Sequence, residues 1–284
     1  MNILEQIINC QPEEVDKIVT NIINEANDNS TKIEQLGFLN SAECNNLFKG
    51  FIPLNTKIKY NSIALETYSM GTTDYFYDFA NFLRKNNIKS IANVVYNLEY
   101  YINQYFGYPS KVTREHIFND IAWNTTTTDE EYFKALENNK IGDLKGTGAA
   151  QCTERSALAQ QLLSFLGMEV YYCMGCIDLG YKQEAHCFNI FKRKNDYALL
   201  DYSMPVTSYD KDGKACAFYP FVGELTKEEF EEFILDGKLK NFNNYHYING
   251  NQKVLSESER TYVVGSYVIE KQTEKLNINS HNKI

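Results

Sequence analysis

The stretch "GTGAAQCTERSALAQQLLSFLGMEV", residues 146–170, sets a cysteine where a glycine-rich loop gives way to a helix. Behind Cys152, the apolar residues Leu158, Leu162, Phe165 and Leu166 recur at helical spacing, and Gly167 stands where a C-cap glycine belongs. This spacing predicts an amphipathic helix. Gly146, Gly148 and two alanines ahead of it leave the approach to Cys152 sterically open. A thiol in the first helical turn feels unpaired backbone N–H groups and the positive end of the helix dipole, both of which favour the thiolate. The position therefore suits a nucleophile. It also suits a small residue packing a helix start, because free cysteines are among the most buried side chains.

After this helix the hydrophobic period changes from helical to two. "EVYYCMGCI" (169–177), "AHCFNIF" (185–191) and "DYALLDYS" (196–203) read as strands of an antiparallel meander, joined by polar turns. Ahead of it, helices are expected at 73–86 and 90–106, the second with Ser90 as N-cap and Gly107 as stop, then at "VTREHIFNDIAWN" and at "TDEEYFKALENN". Residues 1–50 read as short helices with polar breaks such as "NDNSTK", and 51–71 as irregular with a strand near "TKIKYNSIAL". "LTKEEFEEFILDGK" is one more capped helix, and "RTYVVGSYVIE" a late strand. Helices first and strands second, with the Cys152 helix abutting the sheet, make an α+β layout. The expected division is a helical region at 1–110, a core at 111–270 and a polar tail at 271–284.

Cysteine chemistry needs a base for the thiol proton and a group that orients the base. Four histidines shorten the search. His281 lies in the tail, His246 in a polar loop-like stretch, "NNYHYING", and His116 in the first turn of an expected helix. His186 opens the second meander strand, with Phe188 and Ile190 on its face. On the next strand Tyr197, Leu199 and Asp201 share a face, so an antiparallel neighbour can set Asp201 beside His186. Cys152, His186 and Asp201 thus form a candidate nucleophile, base and orienter.

The ordered segments "GAAQC", "LAQQLLSFLGMEV", "CMG", "EAHCFNIF" and "YALLDYSMP" resemble the transglutaminase-like core of the papain-like cysteine enzymes. The resemblance covers about residues 112–205. It implies a central nucleophile helix packed on an antiparallel sheet, with His and Asp on successive strands. It also implies acyl transfer from amide or peptide bonds through a thioester, with no metal or organic cofactor. Within that family the Cys backbone N–H and an upstream side chain stabilise the oxyanion. Trp123, the sole tryptophan, stands near the place of the animal enzymes' oxyanion tryptophan, and Gln151 is the other candidate donor. Core filling is an equal reading of Trp123. Alanine at 150 replaces the glycine of the animal Gly-Gln-Cys sequence.

The triad leaves several activities open: peptide hydrolysis, glutamine deamidation, protein crosslinking and acetyl transfer. Hydrolysis is the expectation, since it needs no second binding site. An arylamine N-acetyltransferase shares the chemistry, yet its Arg-Gly-Gly-x-Cys signature is absent. A non-catalytic binding module that keeps the fold, with residues 1–110 as the part that meets a protein partner, is the alternative of a different class. Cys173-x-x-Cys176 followed by His186-Cys187 is a poor zinc site, because such spacings on strands face opposite ways. "GTGAAQ" lacks the third glycine and the preceding strand of a dinucleotide loop.

Composition bounds the partners. Lys and Arg total 28 against 37 Asp and Glu, a net charge of −9 with no basic stripe, so nucleic acid is not expected. No apolar run reaches membrane-spanning length. Seven cysteines without a framework fit a reducing compartment, and the opening residues read as amphipathic helices and not a signal peptide. A cytoplasmic location is the default expectation, with export lacking a cleaved signal left open. A protein or peptide is the expected substrate.

Overall fold

A computed structural model describes residues 2–35, 47–52, 54, 57–59, 66–70, 73–107, 140–148, 150–178, 183–209, 215–236, 238–239, 243–248, 251–254 and 261–264. Trp123, His116, His281, the two helices expected over 112–139, the boundary expected at residue 110 and the tail at 271–284 lie outside the described residues.

Helix α1 (Ile3–Asn9) starts at Asn2, whose side chain accepts the Glu5 N–H while Glu5 accepts that of Asn2, a reciprocal cap. A 3₁₀ turn at Pro12–Glu14 leads into α2 (Val15–Gln35), which runs on through "NDNSTK" instead of breaking there. Strands β1 (Leu47–Lys49), β2 (Lys57–Lys59) and β3 (Glu66–Ser69) follow, β2 and β3 forming a two-stranded sheet of their own. Helices α3 (Asp74–Lys85) and α4 (Ile91–Phe106) sit where the periodicity predicts them. Ser90 Oγ accepts the Asn93 N–H at 3.2 Å, and Gly107 ends α4 at φ 82°.

Helix α5 (Cys152–Phe165) ends in a complete Schellman closure. Gly167, at φ 77°, donates its N–H to Ser164 O, and Met168 donates to Leu163 O. The helix is not amphipathic, contrary to its apolar spacing: thirteen of its fourteen residues are buried. Several of its polar side chains are buried because they find backbone partners. Gln160 Nε2 donates to Gly50 O at 2.7 Å and Val170 O at 2.8 Å, while Gln161 makes paired bonds to the N–H and C=O of Ile52. Ser156 Oγ donates to Cys187 O at 2.8 Å.

Strands β4 (Val170–Asp178), β5 (Gln183–Lys192), β6 (Tyr197–Tyr209) and β7 (Ala215–Leu225) form an antiparallel meander. After β7 come α6 (Lys227–Asp236), β8 (Lys238–Leu239), β9 (Asn243–Ile248), β10 (Asn251–Val254) and β11 (Thr261–Val264). The sheet order is β10-β9-β7-β6-β5-β4-β11-β8, and β1 shares the outer edge of β4 with β11. The stretch around His246, read as a loop, is strand β9 paired to β7 and β10. Strand β1 lies where short helices were expected.

Alternation divides the sheet into two faces. Tyr172, Met174, Cys187, Phe191, Ala198, Leu200 and Tyr202 meet α5 in a cluster that also takes in Leu4, Val19, Phe79, Leu98 and Ile141. Helices α1 to α4 thus share one core with the Cys152 helix. On the other face, Cys173, Phe188, Ile190 and Leu199 pack with Phe230 and Phe233 of α6 and Tyr262 of β11. The chain is a mixed fold of helices and an antiparallel sheet.

Candidate active site

Cys152 is the first residue of α5, where backbone N–H groups lack intrahelical partners. The loop before it does not simply leave space. Gly146 N–H donates to Tyr105 O at 2.9 Å and Gly148 N–H to Phe106 O at 2.7 Å, so the loop covers the carbonyl end of α4. The approach is close: a Cβ on Gly107 would stand 3.1 Å from the Gly146 carbonyl and 3.3 Å from Gly148 N. Glycine is required here for contact between two backbones. Arg155, fully buried one turn into α5, completes the attachment by donating to Ala150 O at 3.2 Å and Asn103 Oδ1 at 2.6 Å. Cys152 is thereby fixed relative to α4 as well as the sheet.

His186 and Asp201 come together as alternation predicts. The β5–β6 register pairs Asn189 with Leu200, and extending it sets Phe188 against Asp201. His186 and Asp201 are then diagonal neighbours on one face, within reach of long side chains. His186 Nε2 donates to Asp201 Oδ2 at 2.7 Å, both groups buried. This fixes the tautomer and leaves Nδ1 to serve a nucleophile.

Asp201 carries more than the sequence reading gave it. Its Oδ2 also accepts the Tyr262 hydroxyl at 2.8 Å, and its Oδ1 accepts the Ser203 N–H at 3.0 Å and the Ser203 Oγ at 3.1 Å. Four donors converge on one buried carboxylate. Ser203 follows Asp201 on its own face and was visible in principle by alternation. Tyr262 is 61 residues further on and reaches the site only because β11 pairs with β4. Its ring also lies 4.8 Å from that of Phe188 and 6.1 Å from His186. Tyr262→Phe keeps that ring and removes one hydrogen bond to a charged group. Such bonds contribute about 1.5–3 kcal/mol, so a loss of that size is expected in denaturant unfolding of the variant. An unchanged stability would make Tyr262 a packing residue only.

The electrostatics favour an ion pair. A hydrogen bond from the Cys187 thiol, opposed by burial and reinforced by the His186 hydrogen bond and charge, holds Cys152 well below the usual thiol range. Burial acts against protonation of His186, yet the charge and hydrogen bond of Asp201, with Cys152 adding to both, raise its pKa to about 10. Near neutral pH this corresponds to a thiolate beside an imidazolium.

Of the candidate oxyanion donors, Trp123 lies outside the described residues. Gln151 immediately precedes α5; its backbone N–H is committed to Glu154 Oε2 at 2.8 Å, and the residue is half-buried. Cys173 faces α6 with its thiol pushed up by burial, and no group of three metal-ligating side chains occurs among the described residues. Among those residues no helix is long and apolar enough to cross a membrane. Comparison of the chain with protein-family models, curated proteins and solved structures found no match.

Proposed function

We propose that this chain is a cysteine-dependent acyl-transfer enzyme of the transglutaminase-like kind, acting on amide or peptide bonds of a protein or peptide. The observation that carries the reading is the buried 2.7 Å bond between His186 and Asp201, beside a thiol at a helix N-terminus held toward its thiolate. Within the proposal, α5 and the meander are the central helix and sheet of a papain/transglutaminase-like core.

The Cys152 thiolate attacks the carbonyl carbon, and the resulting oxyanion is met by the Cys152 N–H with Gln151 or Trp123. The carbon–nitrogen bond breaks as His186 gives its proton to the departing nitrogen, leaving a thioester on Cys152 and a neutral imidazole. Water then adds to the thioester as His186 takes its proton. The tetrahedral intermediate expels the Cys152 thiolate and releases the acid, restoring the ion pair.

Hydrolysis is favoured over amine transfer because no described feature demands the exclusion of water that a transferase requires. The test supplies a glutamine-containing protein with excess labelled primary amine and follows ammonia, peptide cleavage and bound label. Cleavage, or ammonia without label, is expected. Label that outpaces acid formation and disappears in Cys152→Ala would replace the hydrolase with a crosslinking enzyme.

The low exposure of Cys152, 7 %, favours a second reading, a binding module that keeps the fold without catalysis. Iodoacetamide distinguishes the two: an active thiol alkylates faster than Cys10, Cys173 and Cys187, whereas a closed one does not.

A further inference from the structure

Cys187 is adjacent to His186 in sequence, yet its side chain lies on the opposite face of the sheet, against α5. The structure groups it with two more polar atoms. Cys187 Sγ donates to Thr153 Oγ1 at 3.7 Å, and the same oxygen stands 4.0 Å from Cys152 Sγ, each separation within the range of a sulfur hydrogen bond. Cys187 and Thr153 are each held by a further bond. The Cys187 carbonyl accepts from Ser156 on α5, and the Tyr172 hydroxyl of β4 donates to Thr153 O at 3.2 Å. Cys187 is fully buried, with no solvent to replace its partner.

We infer that Thr153 and Cys187 are positioning residues for the nucleophile: the Cys187 S–H and the Thr153 hydroxyl, grouped on one side of Cys152, both donate to its thiolate. This inference rests on Cys152 being the nucleophile. A thiolate is an acceptor only, so a donor on the face away from His186 stabilises it without competing for the imidazole. The device also needs Cys187 to keep its own proton. Burial, with the neighbouring Cys152 charge, pushes the Cys187 thiol well above its usual range. The titratable groups around these atoms are His186 on β5, Tyr172 on β4 and, behind His186, Asp201 on β6. On α5 itself, Glu154 and Arg155 are turned to Gln151 N and to Ala150 and Asn103.

The test is the pH dependence of Cys152 alkylation by iodoacetamide in the full chain, read by mass spectrometry, with thermal unfolding measured beside it. Thr153→Val and Cys187→Ala each remove one of the two donors. Each is expected to raise the midpoint by about one pH unit, equivalent to about tenfold less thiolate below it. Thr153→Ser and Cys187→Ser retain a donor and are expected to stay near the wild-type midpoint. A purely structural role would lower the melting temperature of the donor-removing variants without moving their midpoint. That outcome, in either variant that folds, overturns the inference. Failure of the nucleophile reading looks different: wild-type Cys152 would then titrate like an ordinary thiol, and His186→Ala would change nothing.

Discussion

Asp201→Asn is expected to reduce turnover by about three to four orders of magnitude while leaving the fold in place. The size follows from the donors around the carboxylate. Ser203 presents a backbone N–H that cannot reverse its role at Oδ1, whereas the His186 ring and the Tyr262 hydroxyl meet Oδ2. An asparagine has one acceptor oxygen, so the amide places it at the Oδ1 position and turns its NH₂ toward His186. The imidazole must then accept at Nε2 and carry its proton on Nδ1. In that tautomer it cannot take a proton from Cys152. Two readouts check this: turnover, and the pH profile of Cys152 alkylation, which needs no substrate.

In the wild type, turnover is expected to fall above about pH 10, where His186 loses the proton it gives to the leaving group. With Asp201 neutralised, the largest influence raising His186 is gone, so that limb moves down. The alkylation midpoint moves up as the thiolate loses its cation. An Asp201→Asn chain with both limbs unmoved would remove Asp201 from the orienting role.

Cys152, His186 and Asp201 were legible as candidates because each obeys a local rule. Cys152 is marked by a loop-to-helix transition, and His186 and Asp201 by alternation on strands whose polar turns are plain. The supporting residues obey none. Tyr262 becomes adjacent through a β4–β11 pairing that no local pattern announces. Gln160 and Gln161 read as the wet side of an amphipathic helix and Arg155 as a break in its apolar stripe, and only the partners that surround them in the fold permit burial. Strand β7 was missed outright. Pro220 lies between Tyr219 and Phe221, and a proline argues against a central strand. The structure accommodates it at a break in register, where the β6–β7 pairing jumps from Asp201–Phe221 to Val206–Tyr219. Pro205 falls in the same break, so neither missing N–H interrupts a regular ladder. In β9, the asparagines of "NNYHYI" hid a strand that pairs with both β7 and β10.

Arg155→Ala is expected to cost about 3–6 kcal/mol of folding stability, since two buried hydrogen bonds to a charged group are lost at about 1.5–3 kcal/mol each. The side chain is fully buried and bonds Ala150 O and Asn103 Oδ1, and its guanidinium lies 6.0 Å from the Phe106 ring centroid. Its loss strands acceptors on α4 and on the loop that delivers Cys152. Denaturant unfolding measures the loss, and a cost under about 1 kcal/mol would mean that water replaces the guanidinium.

Glu99, buried on α4, provides the contrasting variant. Burial raises its carboxyl to about 8, with Arg155 opposing and Asp201 adding to the shift, and its Oε1 has no hydrogen-bond partner among the described residues. It is therefore protonated near neutral pH. Glu99→Gln should change stability little at pH 7, although it touches the same cluster. The sign of the pH dependence is fixed as well. Between the ordinary value of 4.5 and about 8, the folded chain holds a proton that the unfolded chain releases, so stability falls as pH rises through that window. Glu99→Gln should abolish that part of the slope. If Glu99 were instead an ionised partner of Arg155, glutamine would cost nearly as much as Arg155→Ala, and the wild-type slope through the window would be absent.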